Sequence, residues 1–133
     1  MRADKYLGEF ETDDLIYDST YPIDTKGVRL RKGQGTLKRG TVLAISRGTA
    51  GTGEAVMLGC EAADNETFEI EGILTDDVDT GTGEGASSVF TTAYQSGKFN
   101  RNRLIVSEGY TISPEDERVM RECGIFLATK MPV

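Results

Sequence analysis

The chain contains no histidine, and that one absence excludes a large share of enzyme chemistry. Ser-His-Asp and Cys-His nucleophilic catalysis both need an imidazole, and so do His-ligated zinc sites. The side chain most often used for proton transfer near neutral pH is missing with them. Cysteine is nearly absent: Cys60 and Cys123 stand 63 residues apart, outside any metal-ligand spacing, and read as two reduced, mostly buried thiols. Proline is scarce, at 3 residues. No apolar run approaches the ~20 residues that span a bilayer. The opening Met1-Arg2-Ala3-Asp4-Lys5 has no apolar stretch behind it, so no signal peptide is expected and the default compartment is cytoplasmic.

Glycine, by contrast, is abundant, at 16 of 133 residues, and only 38% of the chain is hydrophobic. Many turns and short strands follow from that composition, within one domain large enough to bury a core without disulfides or metals. Paired carboxylates remain as candidates for acid–base work. Asp76, Asp77 and Asp79, however, sit in a glycine-rich stretch that leaves carboxylates solvated, without the split environments an acid and a base require. No enzyme activity and no cofactor are therefore expected; the chain reads as a protein that binds.

The net charge is −7, which argues against a nucleic-acid partner, since phosphate binding needs clustered bases. The charge falls in blocks. Residues 1–25 carry seven acids against Arg2 and Lys5; residues 26–53 carry seven bases and no acid; residues 54–85 carry ten acids and no base. Blocks of this kind either complement a second subunit or partner or form solvated faces.

Two glycine-rich segments resemble ligand loops in part. Gly48-Thr49-Ala50-Gly51-Thr52-Gly53 lacks the Lys and Ser/Thr of a phosphate loop and reads as a flexible loop. Asp77-Val78-Asp79-Thr80-Gly81-Thr82-Gly83-Glu84 lacks several of the oxygens and both helices of a calcium hand, leaving at most a weak surface calcium site. Asn65-Glu66-Thr67 matches a glycosylation acceptor that has no meaning without export.

Along the chain, residues 1–26 read as an extended arm. Tyr6, Leu7, Phe10, Leu15, Ile16, Tyr17, Tyr21 and Ile23 are separated by acids and follow neither a helical nor a strand period. Pro22 prevents a helix from running through. Such a segment either lies along another surface or packs on its own domain. About 20 extended residues reach roughly 65 Å, enough to cross to a neighbour. Residues 27–133 read as the β-rich domain. Strands are predicted at Val28–Arg31, Thr41–Ile45, Thr67–Glu71 (which Gly72-Ile73-Leu74 either continues or restarts), Ser88–Tyr94 (ended by Gly97), Leu104–Val106 and Ile125–Ala128. Ala55–Cys60 is too short for its period to be assigned. One helix is signalled in full: Ser113 as N-cap, Pro114 in the first turn with Glu115, Asp116 and Glu117, an apolar face of Val119, Met120 and Cys123, and Gly124 as the stop.

Several strings taken together resemble one family. They are Gly33-Gln34-Gly35-Thr36-Leu37-Lys38-Arg39-Gly40-Thr41-Val42-Leu43, Gly72-Ile73-Leu74 with Asp76-Asp77-Val78-Asp79, Gly97-Lys98-Phe99-Asn100-Arg101, and Met120-Arg121-Glu122-Cys123-Gly124-Ile125-Phe126-Leu127, preceded by Leu7-Gly8-Glu9-Phe10. In order and spacing they are similar to the head decoration proteins of tailed bacteriophages, the group that includes the lambda decoration protein, from about residue 6 to residue 128. The resemblance implies a mainly β, β-clip-like small barrel with one short C-terminal helix and an extended N-terminal arm. It also implies a homotrimer seated at three-fold positions on the outside of the expanded capsid, made in the host bacterial cytoplasm and carried on the virion. Its partner would be the major capsid protein, against which the arm becomes ordered; Leu7, Phe10, Leu15, Ile16 and Tyr17 are the expected contacts, with no membrane, nucleic acid or metal involved. The acidic 61–79 segment and the glycine-rich 79–85 loop depart from the family pattern. The competing reading is a small β-barrel that binds carbohydrate or calcium on a surface made by Asp76–Asp79 with Tyr94 and Phe99.

Overall fold

The computed structural model describes residues 14–17 and 22–129. The strands are β1 (Asp24–Leu30), β2 (Thr36–Leu37), β3 (Val42–Arg47), β4 (Ala55–Met57), β5 (Thr67–Leu74), β6 (Val78–Asp79), β7 (Val89–Asn100) and β8 (Ile125–Ala128), with one α-helix, α1 (Pro114–Cys123). Five strands run in the order β1-β4-β3-β5-β7, and β7 returns to pair with β1, so the sheet closes into a small barrel. β8 attaches to the far end of β7, and β2 and β6 form a separate two-stranded ribbon. The mainly β class, the small barrel and the single C-terminal helix match the expectation from the sequence.

The apolar run in β3 shows why a closed barrel and not an open sheet results. Leu43 and Ile45 join Val28, Leu30, Leu37, Ala55, Leu74 and Ala93 in one cluster, contributed by the barrel strands and β2. Val42 and Ala44, pointing the other way, join Leu15, Val56, Leu58, Ile73, Phe99, Met120 and Ile125 in a second cluster. β3 is thus buried on both faces, which accounts for a continuous apolar sequence where a one-sided strand would alternate. The outer cluster is roofed by α1 and β8. The helix is capped as its sequence requires: the Ser113 hydroxyl accepts from the Asp116 N–H, the Asp116 carboxylate accepts from the Ser113 N–H, and Gly124 turns left-handed at φ 99°. Only Met120 of its apolar face is fully buried. Cys123 is exposed and Cys60 half-buried, which corrects the reading of both thiols as buried.

The seam between β1 and β4 is the weakest part of the wall, a single parallel pair, Leu30↔Ala55. Gln34 closes it. Its Nε2 donates to the carbonyls of Arg31 (2.8 Å) and Ala55 (3.2 Å), and its Oε1 accepts from the Met57 N–H (3.1 Å). The turn that carries Gln34 is itself held by buried Thr80, whose Oγ1 accepts from the Gln34 N–H and donates to the Gly35 carbonyl, both at 2.8 Å. The Gly33-Gln34-Gly35 string is therefore a clasp between the barrel and the 76–88 loop. Gln34→Ala strands the Met57 N–H and is expected to cost about 1–3 kcal/mol, read from urea denaturation.

Three further predictions need correction. β7 does not end at Gly97. It continues to Asn100 by changing partners, from β1 along Val89–Ser96 to β8 along Gly97–Asn100. Leu104–Val106 is not a strand: Ile105 makes one isolated bridge to Thr41 after a 3-10 turn at Arg101–Arg103. The 48–53 segment is pinned in place and not a loose loop. The Ala50 N–H donates to the Asn65 carbonyl, and the Thr52 and Gly53 N–H groups donate to the Oγ and carbonyl of Ser46.

At the centre of that pinned region is Glu66, its side chain 4% exposed. It accepts from the Ala63 N–H (2.9 Å), from the Ser46 hydroxyl and from Arg31 Nη2 (2.5 Å). These donors, the Ala63 N–H foremost, hold its carboxyl down at about 2. A folded-state value below the unfolded one stabilises the fold above the unfolded value of about 4.3 and is lost as pH falls through the folded value. Melting temperature is accordingly expected to drop between about pH 5 and pH 2. In Glu66→Gln that component is absent, so the gap between the two proteins should narrow on acidification.

Candidate functional site

The first described residues, Asp14–Tyr17, lie on the same edge of β7 as β1. The Asn100 N–H donates to the Leu15 carbonyl (2.8 Å), Ile16 bridges Phe99 antiparallel, and the Tyr17 N–H donates to the Lys98 carbonyl (2.8 Å). The pairing Asp24↔Ser96 moves to Ile16↔Phe99 with eight residues used on one strand against three on the other. The chain therefore pairs with β7 twice, at residues 15–17 and again from Asp24. Leu15 is 2% exposed and packs in the outer core. Ile16 packs against that core, and the Tyr17 ring lies 5.3 Å from Lys98 Nζ.

Of the five expected contact residues, Leu15, Ile16 and Tyr17 thus sit against the chain's own body, while Leu7 and Phe10 lie outside the described residues. β1 begins at Asp24, so residues 24–26 of the expected arm belong to the barrel wall. The segment before Asp14 starts from a fixed root at the barrel's end. The partners that fix it come from the end of β7, a contact that no periodicity in residues 1–26 encodes.

Beyond this root the surface opens into a groove of about 340 Å³ lined by Leu15, Arg39, Asn102, Arg103, Leu104 and Ile105. Its walls are set by main-chain bonds. The Ile105 N–H donates to the Gly40 carbonyl (3.0 Å), and the Val42 N–H donates to the Ile105 carbonyl (2.9 Å). Gly40 is needed there: its φ is +98°, and a Cβ would come within 2.9 Å of the Arg103 carbonyl and 3.4 Å of Leu15 Cδ1. Ile105 is one of two exposed large hydrophobics among the described residues. Arg39 is oriented by bonds from Nη1 to the Thr75 carbonyl (3.0 Å) and the Tyr94 hydroxyl (2.6 Å). Below the groove, Arg101 clamps Glu117 through Nε (3.1 Å) and Nη2 (2.7 Å) and reaches Thr129 (3.0 Å), fastening α1 to the end of β7.

The other exposed hydrophobic is Phe90, 66% exposed, at the opposite end of β7. Its ring covers Gly27, where a Cβ would meet Phe90 Cζ at 2.4 Å, and the Arg29 guanidinium stands 5.7 Å from the ring centre.

Of the surface expected for a calcium or sugar site, Phe99 lies in the core, while Asp77 and Tyr94 are joined through Arg39. Asp76 accepts from the Thr75 hydroxyl, Asp77 from the Arg39 N–H and Asp79 from the Gly81 N–H. Each carboxylate is thus engaged locally, and Phe99 is fully buried. Among the described residues no three His, Cys, Asp or Glu side chains converge on a point. No helix among them is long and apolar enough to cross a membrane.

The charge blocks meet within the chain. Lys26 pairs with Glu71 (2.5 Å), Arg31 with Glu66 (2.5 Å) and Arg47 with Glu69 (3.7 Å), so the basic 26–53 block and the acidic 54–85 block face one another across the barrel wall. This is a third arrangement beside the two that the sequence left open.

No protein-family model matches the chain, and no curated protein matches it significantly.

Proposed function

We propose that the protein decorates and stabilises a tailed-phage capsid, binding the outside of the mature head as a trimer at three-fold positions. The observation that carries this reading is the fixed root of the N-terminal segment. Leu15–Tyr17 fasten to the end of β7, so the acidic segment bearing Leu7 and Phe10 is delivered from a defined place on a rigid barrel. The strings that resemble decoration proteins also occupy joints of this fold: the Gln34 clasp, the Gly40 edge of the groove, the partner change at Gly97 and the stop at Gly124. A shared fold would need those residue types at such joints.

The physics suits the role. Three tethered contacts act together through effective concentration, so each can be weak. A ligand that binds only the expanded shell stabilises it by linkage. An extended segment adding a strand to a capsid sheet edge would contribute main-chain hydrogen bonds with few side-chain demands. Leu7 and Phe10 are the proposed capsid contacts, with Leu15, Ile16 and Tyr17 as the root.

The test is to mix the protein with expanded capsids and image them by electron microscopy, with the mass in solution measured by light scattering. Density at the three-fold positions and a trimeric mass are expected. Undecorated capsids at saturating protein would reject the reading, and a heat of binding with calcium or simple sugars would favour the competing module.

A further inference from the structure

The outward face of the β1–β7 pair lies at the opposite end of β7 from the root. Val28 and Leu30 are buried in the inner cluster, so the alternate residues Gly27, Arg29 and Arg31 turn away from it. Arg29 pairs with Phe90 and Leu30 with Val89; the same register carries Arg31 to Ser88. Past the end of both strands the surface sinks into a hollow of about 550 Å³. Thr52 and Glu54 wall it on the β4 side, Ala86, Ser87 and Ser88 on the β7 side, with Arg31 and Lys32 between them. Arg31 is held from behind: its Nη2 donates to buried Glu66 (2.5 Å) and reaches Thr52 Oγ1 (3.5 Å). Its Nε and Nη1 make no hydrogen bond among the described residues, and Lys32 makes no ion pair among them. Two residues on from Ser88, ~7 Å along the strand, stands Phe90. It is 66% exposed, and one side of its ring rests on Gly27.

We propose that this face binds an acidic saccharide, its carboxylate on Arg31 and Lys32 in the hollow and a neighbouring sugar ring against Phe90. The free Nε and Nη1 of Arg31 are donors on a guanidinium already oriented by Glu66, and a carboxylate is the partner such donors hold best. Lys32 adds a second positive charge, and exposed Arg29 a third beside the Phe90 ring (5.7 Å from its centre). Against these stand Glu54 and Glu66, so the patch is positive on a protein of net charge −7. The remaining lining selects the rest of the ligand. A bare anion would meet Glu54 as repulsion, whereas sugar hydroxyls donate to that carboxylate and also bond the Thr52, Ser87 and Ser88 hydroxyls. The hollow has no large apolar side chain, so it offers no seat for an apolar peptide side chain. An aromatic ring is negatively polarised on its face and attracts the C–H groups of a sugar ring. Gly27 sets the ring's pose, because a Cβ there would come within 2.4 Å of Phe90 Cζ and lift it. The volume is within the range of small-molecule sites, roughly 300–1,000 Å³. None of this depends on the decoration reading.

The test is calorimetric titration of the full-length protein with trigalacturonate in calcium-free buffer, where saturable binding is expected. Lys32→Glu should weaken it about tenfold and Phe90→Ala about fivefold. Both side chains are exposed, and unchanged melting would show that the barrel persists; Arg31 is left in place because Glu66 depends on it. Maltotriose, a saccharide of the same length without carboxylates, and triglutamate, an acidic peptide without sugar rings, should each bind at least about tenfold more weakly. No saturable heat with trigalacturonate overturns the proposal. So does binding that neither substitution weakens, which would place the ligand elsewhere. Equal affinity for triglutamate would reduce the face to a charged patch and reject the saccharide; equal affinity for maltotriose would reject the carboxylate contact. A protein that binds trigalacturonate and leaves expanded capsids bare would keep this site and reject decoration. Decorated capsids with no heat from trigalacturonate would do the reverse.

Discussion

Deleting residues 1–13 is expected to leave the barrel folded and to reduce capsid affinity at least a hundredfold. The cut is placed by the structure. A longer deletion through residue 20 would also remove Leu15, which is 2% exposed in the outer core and whose carbonyl accepts from Asn100. Loss of binding in that longer variant would then report unfolding as much as lost contact. The shorter cut removes Leu7 and Phe10 and keeps the root. Affinity measured by co-sedimentation with expanded capsids, beside a melting curve, separates the two effects. Unchanged affinity in the 1–13 deletion would show that binding resides in the barrel. Leu15→Ala is the complementary variant. It is expected to lose about 2–5 kcal/mol of stability, while capsid affinity falls only with the folded fraction.

Phe99→Ala is expected to be the most damaging single core substitution, at about 3–5 kcal/mol. That is a large part of the roughly 5–15 kcal/mol that holds a domain together. The ring is fully buried, lies 5.4 Å from Tyr94 and sits under the backbone of Gly97. Around it meet the root at Ile16, the strand pair β7–β8 and the outer core roofed by α1. Truncation leaves a cavity at the junction of all three, and relaxation there is limited because the main chain is bonded on both edges of β7. Urea denaturation would give the magnitude. Proteolysis near Leu15 at low urea would show whether the root loosens before the barrel does. A loss below 1 kcal/mol would mean that the root and β8 re-pack freely, against the rigid root on which the proposed function depends.

Some of this architecture is legible in the chain because its causes are local. The helix follows from Ser113, Pro114, Asp116 and Gly124, whose bonds reach at most a few residues. The run Val42–Ile45 announces a core strand by composition alone, and the mainly β class follows from strand-sized apolar runs between glycines. The absence of histidine is likewise complete in the sequence.

Other features were settled by residues far apart in the chain. Gly97 looks like a strand end, yet β7 runs on because β8 and the root arrive to pair with it. Leu15 looks like one apolar anchor among several in a segment without period, and its burial depends on Phe99, Met120 and Ile125. Glu66 reads as one acid among ten, until closure brings Arg31 and Ser46 to it across 35 and 20 residues. The groove is assembled from Leu15, Arg39 and residues 102–105. The sequence by itself determined which segments prefer strand, helix or turn, because capping, β-branching and glycine act within a few residues. Tertiary structure alone decided which side chains meet at the root and the groove, because closing a barrel joins strands whose separation in sequence carries no signal of their contact.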